Sequence, residues 1–180
     1  FPKWAKALCL DNAVIKGIDF GLHAPAEEYR EAVKFIKSDP LSLGALVTTH
    51  KIDLFQACRD LFDYIDPYAE QLGEVSSISK MDGRLCAHAK DPISSGLALE
   101  NFVPKDYWKT YGGDVLLLGA GGSSLAMSIY LTQDKFRDNL PNKIIIANRS
   151  LPRLEHARKI LDGIQPHTRF EFVLNHTPAC

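Results

Sequence analysis

Long apolar runs are missing from these 180 residues: stretches such as Val115 to Ala120 are far too short to span a bilayer, and the segment from Phe1 lacks the basic and apolar regions of a signal peptide. A charge excess is missing too. With 21 Lys and Arg against 22 Asp and Glu, no general field favours nucleic acid or an acidic membrane, and any anion site must be local. The four cysteines, Cys9, Cys58, Cys86 and Cys180, form no CxxC pair and have no ligand-spaced histidines, which argues against a zinc site and against a disulfide framework. They read as isolated small thiols. Internal repeats and low-complexity segments are also lacking. What remains is a chain that is 46% hydrophobic, long enough to bury a core and expected to be soluble and cytoplasmic, with no metal, membrane or nucleic-acid partner. In that compartment the sequons at Asn148-Arg149-Ser150 and Asn175-His176-Thr177 carry no meaning.

From Asn12 onward, short β-rich runs alternate with helical patterns, the rhythm of an α/β sheet. Ala13 to Phe20 reads as a first strand. A helix opens at Pro25 with Tyr29, Ala32, Val33 and Ile36 on one face. Leu43 to Thr48 reads as a strand, Ile52 to Phe62 as a helix, and Asp66 to Gln71 as a helical turn stopped by Gly73. Val75 to Ser79 and Leu85 to Ala89 form a hairpin about the Asp82-Gly83 turn. Phe55, Phe62, Tyr64 and Tyr68 fall at helical spacing and are expected in the core. After a helix over Pro92 to Asn101, the Pro104, Lys105-Asp106 and Gly112-Gly113 composition suits a linker. Two domains are therefore expected, 1–106 and 107–180. The second reads strand, helix, strand, helix, strand over Asp114–Leu118, Gly122–Thr132, Lys143–Ala147, Leu151–Leu161 and Arg169–Leu174. Such apolar runs suit parallel strands buried on both faces, the first half of a Rossmann, doubly wound parallel sheet.

Gly119-Ala120-Gly121-Gly122-Ser123-Ser124 lies between an apolar strand and a helix, the context that gives a GxGxx-small string its meaning. A Cβ at Gly119 or Gly121 would obstruct a pyrophosphate, while free amides at the helix start supply donors. Ser124 is small enough to let the helix approach the strand. At the end of the second strand, Asn148-Arg149-Ser150 stands where an NAD site places an acid. Arg149 can hold the extra phosphate of NADP through two charge-assisted hydrogen bonds, with Arg153 as a second cation. NADP is the expected coenzyme.

Other segments carry a resemblance that extends beyond the glycine loop. Gly44-Ala45-Leu46-Val47-Thr48-Thr49-His50-Lys51, Leu72-Gly73-Glu74-Val75-Ser76-Ser77-Ile78, Asp82-Gly83-Arg84-Leu85 followed by Asp91, and Asn148-Arg149-Ser150 with Arg153 occur in the order and approximate spacing of the shikimate and quinate dehydrogenase family, which the chain resembles along nearly its whole length. The resemblance implies an N-terminal α/β substrate-binding domain, a catalytic pair made by Lys51 and Asp91 at the cleft between domains, and Thr48 and Ser76 as substrate contacts. It also implies a small-molecule partner, a cyclic polyhydroxy acid, and a place in the shikimate pathway of aromatic amino acid biosynthesis; homodimers are compatible with it. Reducing a ketone by hydride leaves an alkoxide that needs a proton, which a positioned lysine supplies while a carboxylate orients it. His50 matches a family histidine and reads as a hydrogen-bonded packing residue, and His88 as structural.

The departures concern the substrate. The segment before Lys51 is one residue short and lacks the family's proline, Ser76 and Ser77 replace asparagine and threonine, and Ala89 replaces asparagine. One serine cannot copy an amide that bonds two hydroxyls. Quinate or aminoshikimate dehydrogenation is therefore an alternative to reduction of a 3-dehydroshikimate-like ketone, and a noncatalytic NADP or ligand sensor is an alternative of another class. The family's N-terminal serine pair and the second Rossmann half lie outside this sequence, so the expectation is a fragment of a longer protein.

Overall fold

In the computed structural model, which describes residues 1–10, 12–136, 138–164 and 168–175, the chain builds two β-sheets. Cys180 and the last two residues of the second sequon lie outside the described residues. A short helix α1, Pro2–Ala7, comes first. Helix α2, Ala26–Ser38, follows Pro25 and carries Glu27 and Glu28 in its first turn and Lys37 in its last, the order that suits the helix dipole. Its buried face is Tyr29, Val33 and Ile36, as the spacing predicts.

The first sheet holds β1 (Gly44–Leu46), β2 (Tyr64–Ile65), β3 (Ser77–Met81) and β4 (Arg84–His88) in the order β1-β3-β4-β2. Strand β3 runs antiparallel to both β1 and β4, and β2 runs parallel to β4. The β3–β4 turn is the expected one: Asp82 at φ 52° and Gly83 at φ 74° give the two left-handed central residues of a type I′ hairpin. Gly44 is held at φ 144°, where a Cβ would lie 2.1 Å from the Ile78 carbonyl oxygen, so the β1–β3 approach requires glycine. Helix α3, Lys51–Cys58, gives way to a 3-10 turn at Arg59–Leu61, where one helix was expected to reach Phe62. Arg30 donates to the Ala57 carbonyl at 2.6 Å and satisfies part of that frayed end. Helix α4, Pro67–Leu72, is capped by Asp66, which accepts from the Ala69 amide, and closes at Gly73. Helix α5 spans Asp91–Glu100.

Several expectations fail here for identifiable reasons. Ala13 to Phe20 forms no strand, and Val14, Ile15 and Ile18 are 78%, 59% and 53% exposed. Its composition is strand-like, yet a strand exists only through a ladder, and no described strand pairs with it. Tyr64 is exposed rather than core, because it sits on the edge strand β2 and lies near His88. Phe55 and Phe62 are buried as expected. The linker read around 104–113 contains helix α6, Tyr107–Tyr111, whose aromatic run gave no amphipathic period.

The second sheet is fully parallel, β5 (Val115–Leu118), β6 (Lys143–Asn148) and β7 (Arg169–Leu174), with α7 (Gly122–Leu131) and α8 (Leu151–Leu161) between them. Ile144 and Ile146 are fully buried with Leu125, Ile129, Leu154 and Leu161 in one cluster. The expectation of burial on both faces fails for β5: Leu116 and Leu118 are 58% and 82% exposed, because no described element covers that side.

Candidate functional site

Topology brings the two acid–base candidates together. Strands β1 and β4 both run opposite to β3, so they run parallel to each other and their carboxyl ends reach the same edge of the sheet. Lys51 is the first residue of the helix after β1, and Asp91 the first residue of the helix after β4. The Lys51 ammonium donates to Asp91 Oδ2 across 40 residues of sequence, and both side chains are about one quarter exposed. Asp91 suits a helix start, whereas a lysine there opposes the helix dipole. The pair is further anchored by the Val75 amide, which donates to the Lys51 carbonyl at 3.1 Å.

The other residues singled out from the sequence divide. Thr48 is exposed, three residues before Lys51 in the chain. Ser76 is 7% exposed, and its hydroxyl accepts from the Lys90 amide at 2.8 Å and points to the His88 carbonyl at 3.4 Å, so backbone groups occupy it. His50 meets the Tyr29 hydroxyl at 3.0 Å and packs against Phe20, a packing role as expected. His88 bridges Asp66 and Ser79 at 3.3 and 3.2 Å. Cys58 is buried, and that burial pushes its thiol up to about 11, which leaves it a poor nucleophile. A depression of about 400 Å³ lined by Glu70, Gly73, His156 and Lys159 includes neither Lys51 nor Asp91.

The glycine loop lies at the carboxyl end of β5, next to the end of β6: the Gly119 amide donates to the Ala147 carbonyl at 2.8 Å. Gly119 has φ 116°, a conformation that L side chains rarely adopt. A Cβ at Gly119 or Gly121 would meet nothing within 4 Å, so the space over the loop is open. Helix α7 begins at Gly121–Gly122 with no side-chain cap and no acid in its first turn. Free amides at an uncapped helix start, open space above them and a glycine turn fit a dinucleotide pyrophosphate. Asn148 ends β6, Arg149 and Arg153 are exposed, and neither arginine has an ion pair among the described residues. Ser123 is exposed and Ser124 half-buried.

One residue of this region was not singled out from the sequence. Glu74 is 4% exposed, its Oε1 has no hydrogen-bond partner among the described residues, and its Oε2 lies 3.4 Å from where a Cβ on Gly122 would be. Burial raises its carboxyl above the ordinary glutamate range, Lys51 acts to lower it, and Asp91 to raise it further. The only sequence signal was an ionisable residue one step before the buried Val75.

A glycine turn between a parallel strand and its helix, in a chain whose other α/β sheet bears a lysine–aspartate pair, defines an α/β chain of the Rossmann type. Comparison with known proteins narrows this. The chain is 32% identical over 123 residues to the shikimate dehydrogenase (NADP(+)) of Bacillus cereus (strain ATCC 10987 / NRS 248), an overlap of 68% of this chain and 40% of that protein. A shikimate dehydrogenase solved in complex with NADP+ is similar at 26% identity and TM-score 0.62, over 81% of this chain and 47% of the other. The Listeria monocytogenes shikimate 5-dehydrogenase solved with shikimate and NAD shares the fold, with TM-score 0.69 and 19% identity over 95% of this chain and 54% of the other. No protein-family model matches the chain. It is a relative of the shikimate dehydrogenases, and it spans about 40% of the length of the curated relatives it matches.

Proposed function

We infer that this chain supplies the acid–base pair and the coenzyme loop of an NADP-linked oxidoreductase of the shikimate dehydrogenase type. It would reversibly reduce a 3-dehydroshikimate-like cyclic keto acid to the hydroxy acid. The observation that carries the reading is the Lys51–Asp91 ion pair, in a chain whose sequence relatives are NADP+ shikimate dehydrogenases. NADPH, when bound, supplies the hydride. Lys51 donates the proton that the nascent alkoxide requires and takes it back in the oxidative direction, while Asp91 holds the ammonium in place. The amides at the start of α7 receive the pyrophosphate, and Arg149, with Arg153, receives the phosphate that distinguishes NADP. The division into a substrate domain over 1–106 and a coenzyme domain over 107–180 belongs to the same proposal, with Thr48 beside the substrate.

A second substrate, quinate or an aminated analogue, is favoured by the burial and backbone engagement of Ser76 and by the fully buried Ala89, which has no side-chain amide. The deciding experiment assays the full-length protein with NADP and with NAD against shikimate, quinate and aminoshikimate, beside a Lys51→Ala control. Turnover of one of these acids that the control lacks supports the reading. Tight NADP binding without turnover of any would point instead to a noncatalytic sensor.

A further inference from the structure

Glu74 stands between the two halves of the site described above. Strand β3 begins at the end of the sheet where Lys51 and Asp91 converge, and Glu74, three residues before that strand, brings its Oε2 to within 3.4 Å of where a Cβ on Gly122 of the glycine turn would lie. Three facts define its surroundings. The side chain is buried, its Oε1 has no hydrogen-bond partner among the described residues, and its Oε2 lies beside the first residue of α7, a helix start that has no side-chain cap. The charged groups that bear on it are Lys51 from α3 and Asp91 from α5, and these oppose each other.

A helix start of this kind attracts anions, and a phosphate arriving there meets Glu74 at close range. An ionised carboxylate would repel that phosphate and compete for the same amides. A neutral carboxyl would instead offer it an O–H donor. We propose that Glu74 is a proton-linked gate on the glycine loop, which admits the dinucleotide pyrophosphate only with the Glu74 carboxyl protonated and donating. This rests on the reading of the loop as a coenzyme site. Burial and Asp91 hold the carboxyl protonated to higher pH than an ordinary glutamate, and an incoming phosphate extends that range. Coenzyme affinity should then fall as pH rises through the carboxyl's raised value. Each further pH unit would weaken binding by about tenfold, until the ionised form's own weak binding takes over.

The test measures NADP+ binding to the full-length protein by calorimetry from about pH 5 to about pH 9, for wild type and Glu74→Gln, with Glu74→Ala as a second neutral variant. Titration of the 2′-phosphate is common to all and cancels in the ratio of dissociation constants. The ratio of wild type to Glu74→Gln should climb about tenfold or more across the range. A ratio that stays flat, with NADP+ bound throughout, overturns the gate and leaves the coenzyme site standing. Absence of NADP+ binding to every form at every pH overturns the coenzyme site and the gate with it. Should neither variant fold, wild type decides alone. At about pH 8 the free 2′-phosphate is already fully ionised, so uptake of a proton on NADP+ binding, read from buffers of different ionisation heat, supports the gate. Zero uptake or release overturns it.

Discussion

Replacing Gly96 with alanine would put a Cβ 2.1 to 2.3 Å from three ring carbons of Tyr130, at the crossing of α5 and α7. The ring has little room to yield. Tyr130 is 3% exposed, its hydroxyl donates to Glu100 one turn along α5, Phe136 packs edge-on at 5.1 Å, and the Lys135 ammonium sits 4.4 Å from its centroid. Burial and Glu100 push the Tyr130 phenol up to about 12, so it remains a donor at neutral pH. Forcing extra volume into such a contact costs about 1–3 kcal/mol, and losing a hydrogen bond to a charged group about 1.5–3 kcal/mol. Against this, alanine gains about 1 kcal/mol over glycine in a helix interior. The net expectation is a loss of roughly 3 kcal/mol, which lowers the melting temperature of a chain this size by about 6–12 °C. Scanning calorimetry of Gly96→Ala measures it, and adding Tyr130→Leu should recover part of the loss, a non-additive cycle between touching residues. A melting temperature unchanged or raised by Gly96→Ala would refute the reasoning. Because α5 begins at Asp91 and α7 at Gly122, the same contact sets the spacing between the ion pair and the glycine loop.

In the full-length protein, Lys51→Ala should lower kcat by about 10²–10⁴, with a stability change of about 1 kcal/mol or less, since a partly exposed ion pair contributes little; steady-state kinetics and thermal melting separate the two effects. Arg149→Ala should weaken NADP+ binding by roughly 10-fold to 100-fold and leave NAD+ unaffected, because it removes charge-assisted bonds to the 2′-phosphate alone; equal losses for both coenzymes would count against that role. Arg30 holds Asp60 through two hydrogen bonds of 2.6 and 2.9 Å and lowers its carboxyl to about 2. A depressed folded-state value means that the contribution is present above the unfolded value of about 3.9 and lost as pH falls toward 2, so Asp60→Asn should flatten acid destabilisation in that window, as read by denaturant titration at each pH.

The parts of the fold that were legible in advance are those with a local cause. The buried face of α2 follows from its spacing, the β3–β4 hairpin from Asp82-Gly83, and the parallel unit from apolar runs that alternate with helices. The glycine loop was legible for the same reason: strand, turn and helix are contiguous in sequence. Ala13 to Phe20 misled because residue type predicts willingness to pair and not the presence of a partner. The two-residue strand β2 is too short to show any period, and the aromatic run of α6 hid a helix.

By itself, the sequence determined the chemistry available: an ammonium at 51, a carboxylate at 91, glycines at 119, 121 and 122, and a cation in place of an acid at 149. Tertiary structure alone decided which of these meet. Antiparallel pairing on either side of β3 sends β1 and β4 the same way and so joins Lys51 to Asp91. The same edge buries Glu74 against the start of α7 and engages Ser76 with backbone groups. The physical reason is that burial and proximity between residues tens of positions apart are set by sheet order and register, which no local pattern encodes.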